Sequence, residues 1–258
     1  MNSYYYNNLQ IREVFHLEFL RAFARKLKPS FFALKGGVNM RLSFGSIRYS
    51  EDMDLDVNTI NVKALSDTVM KILGSVSFQN ELKGFGIDKV LPPNMAKAKQ
   101  TDTTQRFKVH LITHQGEDLF TKIEFSRRKS VGNAVVEPVS EKILRQYKMS
   151  PLIVSHYDVD SAFAQKINAL ANRSAVQARD IFDLYMLSTQ LSPNKNSRIK
   201  TDAVSIKIAC ENVFLVSFHQ FRDTVLSYLA EEDKAAYDSP DLWDEIKLRV
   251  HDLICQNN

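Results

Sequence analysis

The stretch Lys35–Asp56, KGGVNMRLSFGSIRYSEDMDLD, restricts this chain more than any other. Just before it, Ser30–Leu34 (SFFAL) is short, apolar and aromatic, and reads as a buried strand. That strand runs into Gly36-Gly37. A helix over roughly Val38–Phe44 comes next and ends at Gly45, and an acidic strand succeeds it. Side chains alternate faces along a strand, so Asp52, Asp54 and Asp56 point one way and Met53, Leu55 and Val57 the other. The apolar face can pack on a core. The acidic face crowds carboxylates whose repulsion is costly unless a cation or solvent offsets it. Closely set carboxylates on a rigid element after a glycine turn suit a divalent metal and a phosphate-bearing ligand.

The remaining pattern divides the chain into two parts. Residues 8–28 carry apolar side chains at helical spacing and predict an amphipathic helix stopped by Pro29. Val62–Leu73 predicts a second helix, and Gly74, Gly84 and Gly86 break the next stretch into short pieces. Arg106–Thr113 and Leu119–Ser126 read as strands joined in a hairpin through HQGED. On the second of these, Thr121, Ile123 and Phe125 share one face, and Lys122, Glu124 and Ser126 the other. Glu124 is thus a third candidate carboxylate on a neighbouring strand. Val135–Val136 and Leu152–Val154 suggest short edge strands. From Asp160 onward the patterns are helical: Ser161–Asn172, Ala175–Leu187, and residues 201–216, 219–230 and 240–255. The expected class is α+β. A mixed α/β part occupies residues 1–155, and an all-helical part occupies residues 156–258.

Bulk properties exclude several classes. With 258 residues, 44% hydrophobic and 25% charged, the chain has ordinary globular composition. A net charge of +4 permits an anionic partner without requiring one. The N-terminal MNSYYYNNLQ lacks the basic and apolar regions of a signal peptide, and no segment suits a bilayer span. A cytoplasmic location with no membrane partner is expected. Cys210 and Cys255 are far apart in sequence, with no CxxC or Cys/His cluster. The expectation is therefore two reduced thiols and no zinc site.

Each constellation also has a plainer reading. Gly36-Gly37 is neither a Walker A loop nor a GxGxxG fingerprint. Either it lets backbone approach a phosphate at a helix N-terminus, or it makes a tight turn. Asp52-x-Asp54-x-Asp56 lacks the Gly and Glu of an EF-hand loop, since Val57 and Lys63 stand there. It is a metal-ligand pair or a solvated strand face, with Asp56 the more ordinary residue. Lys166 falls inside the apolar stripe of its helix, where it either snorkels to solvent or holds its ammonium near a phosphate. Arg179 and Asp183 are spaced to pair on one helix, whereas Asp180 has no such partner there. Arg127-Arg128-Lys129 and Lys97/Lys99 offer either a surface for an RNA backbone or a solvated basic face.

In combination, KGG-x-x-x-R, RYSEDMDLD, a carboxylate on a later strand, AQKINAL-x-x-R and ARDIFDLY resemble the AbiEii/AbiGii-type nucleotidyltransferase toxins of the DNA polymerase β-like superfamily. The resemblance spans roughly residues 31–190. It implies a nucleotidyltransferase-like sheet followed by a helical domain that completes the active-site cleft. It also implies transfer of a nucleoside monophosphate from an NTP to an acceptor. By the same resemblance, Asp52 and Asp54 hold Mg²⁺ (or Mn²⁺), and Glu124 is the third metal and catalytic carboxylate. Lys35, Gly36, Gly37, Arg48, Ser50 and Lys166 contact the nucleotide, and Asp180 is a further active-site carboxylate. Two departures stand out: superfamily members often begin the motif with Gly-Ser, and their third carboxylate is often Asp. The function expected is modification of an RNA such as tRNA by a toxin or phage-defence effector, paired with a cognate antitoxin. Nucleotidylation of a protein or small molecule, or a catalytically silent binding module, are the alternatives.

Overall fold

A computed structural model describes residues 6–95, 98–128, 132–191 and 201–256. Lys97 and Lys129, named above as basic candidates, lie outside the described residues. The chain forms two compact units. One takes the residues up to Asn39, Tyr49 to Ser130 and Ala134 to His156; the other takes Met40–Arg48, Val131–Asn133 and the chain from Tyr157 onward.

The first unit holds one mixed seven-stranded sheet in the order β3-β4-β5-β2-β1-β7-β6. The strands are β1 (Phe32–Lys35), β2 (Asp52–Val57), β3 (Ile87–Leu91), β4 (Thr104–Thr113), β5 (Asp118–Ser126), β6 (Ala134–Pro138) and β7 (Ile153–Tyr157). Strand β2 lies between β1, which runs antiparallel to it, and β5, which runs parallel. The expected hairpin is β4 and β5, paired from Thr104↔Ser126 to Ile112↔Asp118. Both strands run slightly longer than the alternation predicts. The segment read as an edge strand near Leu152–Val154 is instead β7, which is interior between β1 and β6. A five-residue strand carries no local mark of how many neighbours it will have.

Helix α1 (Asn8–Ala24) is the spine of this unit. It begins with a full capping box between Asn7 and Gln10, which satisfies two otherwise orphaned backbone donors. Amphipathicity predicts a wet face, yet residues 13–20 are buried without a break. Polar groups in that run find distant partners. Glu13 accepts a 2.6 Å hydrogen bond from the Tyr147 hydroxyl, and His16 Nε2 lies 2.9 Å from Thr121 Oγ1. Phe23 meets Phe32 and Phe125 at 5.2 and 5.4 Å, and Phe125 meets Phe107 at 5.8 Å, so one aromatic chain ties the helix to three strands. Helix α3 is Val62–Leu73, as its periodicity predicts. Helix α4 (Val76–Lys83), strand β3 and helix α5 (Glu141–Gln146) are short, and the glycine-broken pattern did not reveal them.

Helix α2 (Gly36–Phe44) starts at Gly36 rather than Val38, and its later residues belong to the second unit. The other helices of that unit are α6 (Val159–Asn172), α7 (Ala178–Ser188), α8 (Ala203–Asn212), α9 (Phe218–Thr224), α10 (Glu231–Tyr237) and α11 (Pro240–Cys255). Trp243 anchors their core. It stacks on Phe221 at 4.3 Å and donates its indole N–H to the Val216 carbonyl at 3.2 Å. The expectation of two separate thiols is corrected here. Helices α8 and α11 pack together and join Cys210 to Cys255 in a disulfide, across a sequence separation of 45. Among the described residues no helix is long and apolar enough to cross a membrane.

Candidate active site

The acidic strand is positioned by its pairing. In register, Asp54 opposes Glu124 on β5 and Lys35 on β1, and Asp52 opposes Lys122. Parallel in-register pairing therefore sets two carboxylates side by side on the same face of the sheet. Cations partly offset them. Lys122 Nζ is 2.8 Å from Asp52, Arg106 Nε is 2.5 Å from Glu124, and Lys35 Nζ is 2.5 Å from Asp56. Burial and the neighbouring Glu124 push the Asp54 carboxyl above its ordinary range, against the pull of Lys122 and Lys35. Asp54 is thus a carboxylate whose charge this chain leaves incompletely compensated.

Gly36 explains the glycine turn. Its φ is +68°, a conformation that side chains disfavour, and a Cβ there would come within 2.9 Å of Asp54 Oδ2. The backbone at the start of α2 and the Asp54 carboxylate therefore share a space that only glycine leaves open. The Ser50 hydroxyl donates to the Asp52 carbonyl at 2.8 Å, so Ser50 shapes the entry into β2.

A buried relay that sequence reasoning missed supports the same strand end. The Thr121 hydroxyl donates to the Glu51 carbonyl at 2.7 Å, so it accepts from His16, whose Nε2 then carries the proton. Burial depresses the His16 pKa to about 4, with nearby Asp52 opposing that shift and Arg12 adding to it. His16 is thus a neutral donor that fixes the residue just before Asp52.

In the helical unit a second set of predicted residues converges. Arg48 grips Asp183 with Nη2 at 3.0 and 3.1 Å and Nε at 3.3 Å. Lys166 Nζ lies 2.9 Å from Asp180 and 2.5 Å from Asp183, and Arg173 Nε lies 2.8 Å from Asp180. Both aspartates are fully buried. Burial opposes charge on Asp183, but Arg48 and Lys166 outweigh it and hold the carboxyl below its usual range. Burial likewise disfavours the Lys166 ammonium, but Asp180 and Asp183 outweigh it and raise its pKa. The expected Arg179–Asp183 pair is corrected, since Asp183 faces Arg48 and Lys166 instead. The spacing that allows an i,i+4 pair on one helix says nothing about cations arriving from elsewhere in the chain. Lys166 does not snorkel. Asp183 and Arg173 are the residues sequence reasoning left out of the site. The available signal was that Asp180 and Asp183 lie three apart on a helix face otherwise apolar.

The basic surface is reduced from its sequence outline. Arg127 turns inward, donating to the Ile60 carbonyl at 3.1 Å and bonding Gln105, whereas Lys99 and Arg128 stay exposed.

Solved structures share this architecture. MenT4, a nucleotidyltransferase toxin from Mycobacterium tuberculosis H37Rv, superposes with a TM-score of 0.68 at 14% identity, over 96% of this chain and 84% of that one. JHP933 from Helicobacter pylori gives 0.54 at 18% identity, over 98% of this chain and 93% of its own. A putative nucleotidyltransferase of H. pylori gives 0.52 at 17% identity, over 98% and 96%. The fold is that of these nucleotidyltransferases. No curated protein matches the chain by sequence. The family described as "Nucleotidyl transferase AbiEii toxin, Type IV TA system" matches residues 18–248, and the chain belongs to it. It is a nucleotidyltransferase of the toxin class.

Proposed function

We propose that this chain transfers a nucleoside monophosphate from an NTP to an acceptor hydroxyl with the help of a divalent metal ion, releasing pyrophosphate. RNA is the acceptor class we assign, with the 3′ end of tRNA the first to test. The observation that carries this reading is Asp54, a crowded carboxylate beside Glu124 and against the backbone of Gly36. Asp52, Asp54 and Glu124 are the residues that would hold Mg²⁺ or Mn²⁺. A cation there would neutralise charge on the phosphates and lower the pKa of a bound hydroxyl.

The chain's own residues supply the rest. The N-terminus of α2, with Gly36 and Gly37 in its first turn, offers unsatisfied backbone N–H groups to phosphate oxygens. Lys35 adds positive charge on the same face of the sheet as Asp54. Glu124, partly exposed, would take the acceptor hydroxyl's proton. Asp180, enclosed and paired to two cations, positions Lys166 rather than accepting a proton. Two of the three N–H groups of the Lys166 ammonium go to Asp180 and Asp183, which fix its position within the helical unit. Arg48 acts through Asp183. Lys99 and Arg128 would meet an RNA backbone, and a cognate antitoxin is the expected protein partner.

The test is incubation of the purified protein with each labelled NTP, Mg²⁺ and total tRNA or protein. Label in an RNase-sensitive, protease-resistant product is expected. Label in protein would move the acceptor to that class. No label in any acceptor, or equal labelling by an Asp52→Ala/Asp54→Ala variant, would refute catalysis and leave a binding module.

A further inference from the structure

The triad of ligand atoms that converges within 4.8 Å among the described residues is not carboxylate. It is Cys210, His251 and Cys255, in the helical unit. Sequence inspection finds no metal motif here because its parts come from two helices. His251 and Cys255 are one turn apart on α11, and Cys210 reaches them from α8. We propose that the reduced form of this pair, with His251, binds a thiophilic divalent cation of the Zn²⁺ type, and that the disulfide is the metal-free form of the same site.

Three observations carry the proposal. Cys255 Sγ lies 3.5 Å from His251 Nε2. Bonds of about 2.3 Å to sulfur and about 2.0–2.1 Å to nitrogen at a tetrahedral angle put two ligands roughly 3.5–3.6 Å apart. The other ring nitrogen, Nδ1, is 3.1 Å from the Asp252 carboxylate, so Nε2 is the nitrogen turned to the sulfurs. A carboxylate on the far nitrogen is how metal-bound histidines are oriented and made more basic. Finally, an open hollow of about 760 Å³ is lined by both cysteines with Lys207 and Glu211. It opens both sulfurs to solvent and so gives a cation access.

Binding and oxidation exclude each other here. A cation takes both sulfurs as thiolates, and the two thiol protons pass to solvent. Forming the disulfide removes two electrons from the two thiolates and leaves neither sulfur as a thiolate ligand, so reduction by a thiol or phosphine must return two electrons before the site forms. The site rests on the helical unit alone and is independent of the nucleotidyl transfer proposed above.

Cobalt(II) titration of the full chain, reduced anaerobically with a phosphine, tests the proposal. The expected result is saturation at one equivalent, with a thiolate-to-cobalt charge-transfer band, the strong visible bands of a tetrahedral ion, and displacement by Zn²⁺. Cys255→Ser, an exposed change, should cut the charge-transfer band to half or less at saturation and weaken binding at least about 100-fold, with circular dichroism unchanged. Asp252→Asn should weaken binding by about tenfold or more. The disulfide form should not bind. No charge-transfer band in the reduced protein, an undiminished band in Cys255→Ser, or equal binding by the disulfide form would each overturn the proposal. A cobalt affinity undiminished in His251→Gln would remove the histidine and overturn the three-ligand site.

Discussion

The two charged clusters of this chain answer the same problem in opposite ways. In the sheet-bearing unit, Asp52, Asp54, Asp56 and Glu124 face Lys35, Lys122 and Arg106, four carboxylates against three cations. In the helical unit, Asp180 and Asp183 face Arg48, Lys166 and Arg173, two carboxylates against three cations. The carboxyl at the centre of each responds accordingly: Asp54 is pushed up and Asp183 is held down. The first cluster is short of positive charge and lies more open; the second is enclosed and satisfied by the protein. A buried network complete in itself specifies structure, whereas one left incomplete is where an external cation gains most.

The largest effect should come from breaking the satisfied cluster. Asp183→Asn leaves Arg48 and Lys166 buried without their shared partner, and should cost about 3–5 kcal/mol of stability by chemical denaturation. Because the Asp183 carboxyl is held low, its contribution is present above the ordinary aspartate range and lost as pH falls through the depressed value. The variant should therefore lose that part of the acid-dependent change.

Next in size is the relay behind β2. His16 titrates at about 4 in the fold against 6.5 when unfolded, so the unfolded chain binds more protons between those values. Stability should drop by about 3 kcal/mol as pH falls through that window. His16→Gln, which keeps an N–H donor, should flatten this segment of the stability–pH curve.

Gly36→Ala should cost about 1–2 kcal/mol, the price of a left-handed backbone in a residue bearing a Cβ. The added methyl group also meets Asp54. Nucleotidyl transfer should fall far more than stability does, as label-transfer rates and thermal melts on one preparation would show.

The sequence made the strand architecture around Asp52 and Asp54 legible because alternation and register are local properties. Glycine at 36 and the α3 boundaries were readable for the same reason. Partners distant in the chain were not. Arg48 and Asp183 are 135 residues apart, and His16 and Thr121 are 105 apart. No periodicity reports such contacts. Nor does it report that α8 and α11 bring the two cysteines together. Lys166 was ambiguous because a lysine in an apolar stripe looks the same whether it reaches solvent or a buried carboxylate. Asp183 was assigned to the cation on its own helix because that partner was the visible one.

The smallest stability effect is the most direct test. If Asp54 lacks sufficient cation, Asp54→Asn should stabilise the metal-free protein near pH 7 by up to about 1 kcal/mol, by relieving a like-charge contact across paired strands. With a raised folded pKa, the destabilising anion is absent at low pH, so the gain should vanish as pH falls. Adding Mn²⁺ with an NTP should raise the melting temperature of the unmutated protein and leave that of Asp54→Asn unmoved. A variant less stable than the parent without metal, or one shifted equally by Mn²⁺ and NTP, would contradict the assignment of this cluster as the cation site.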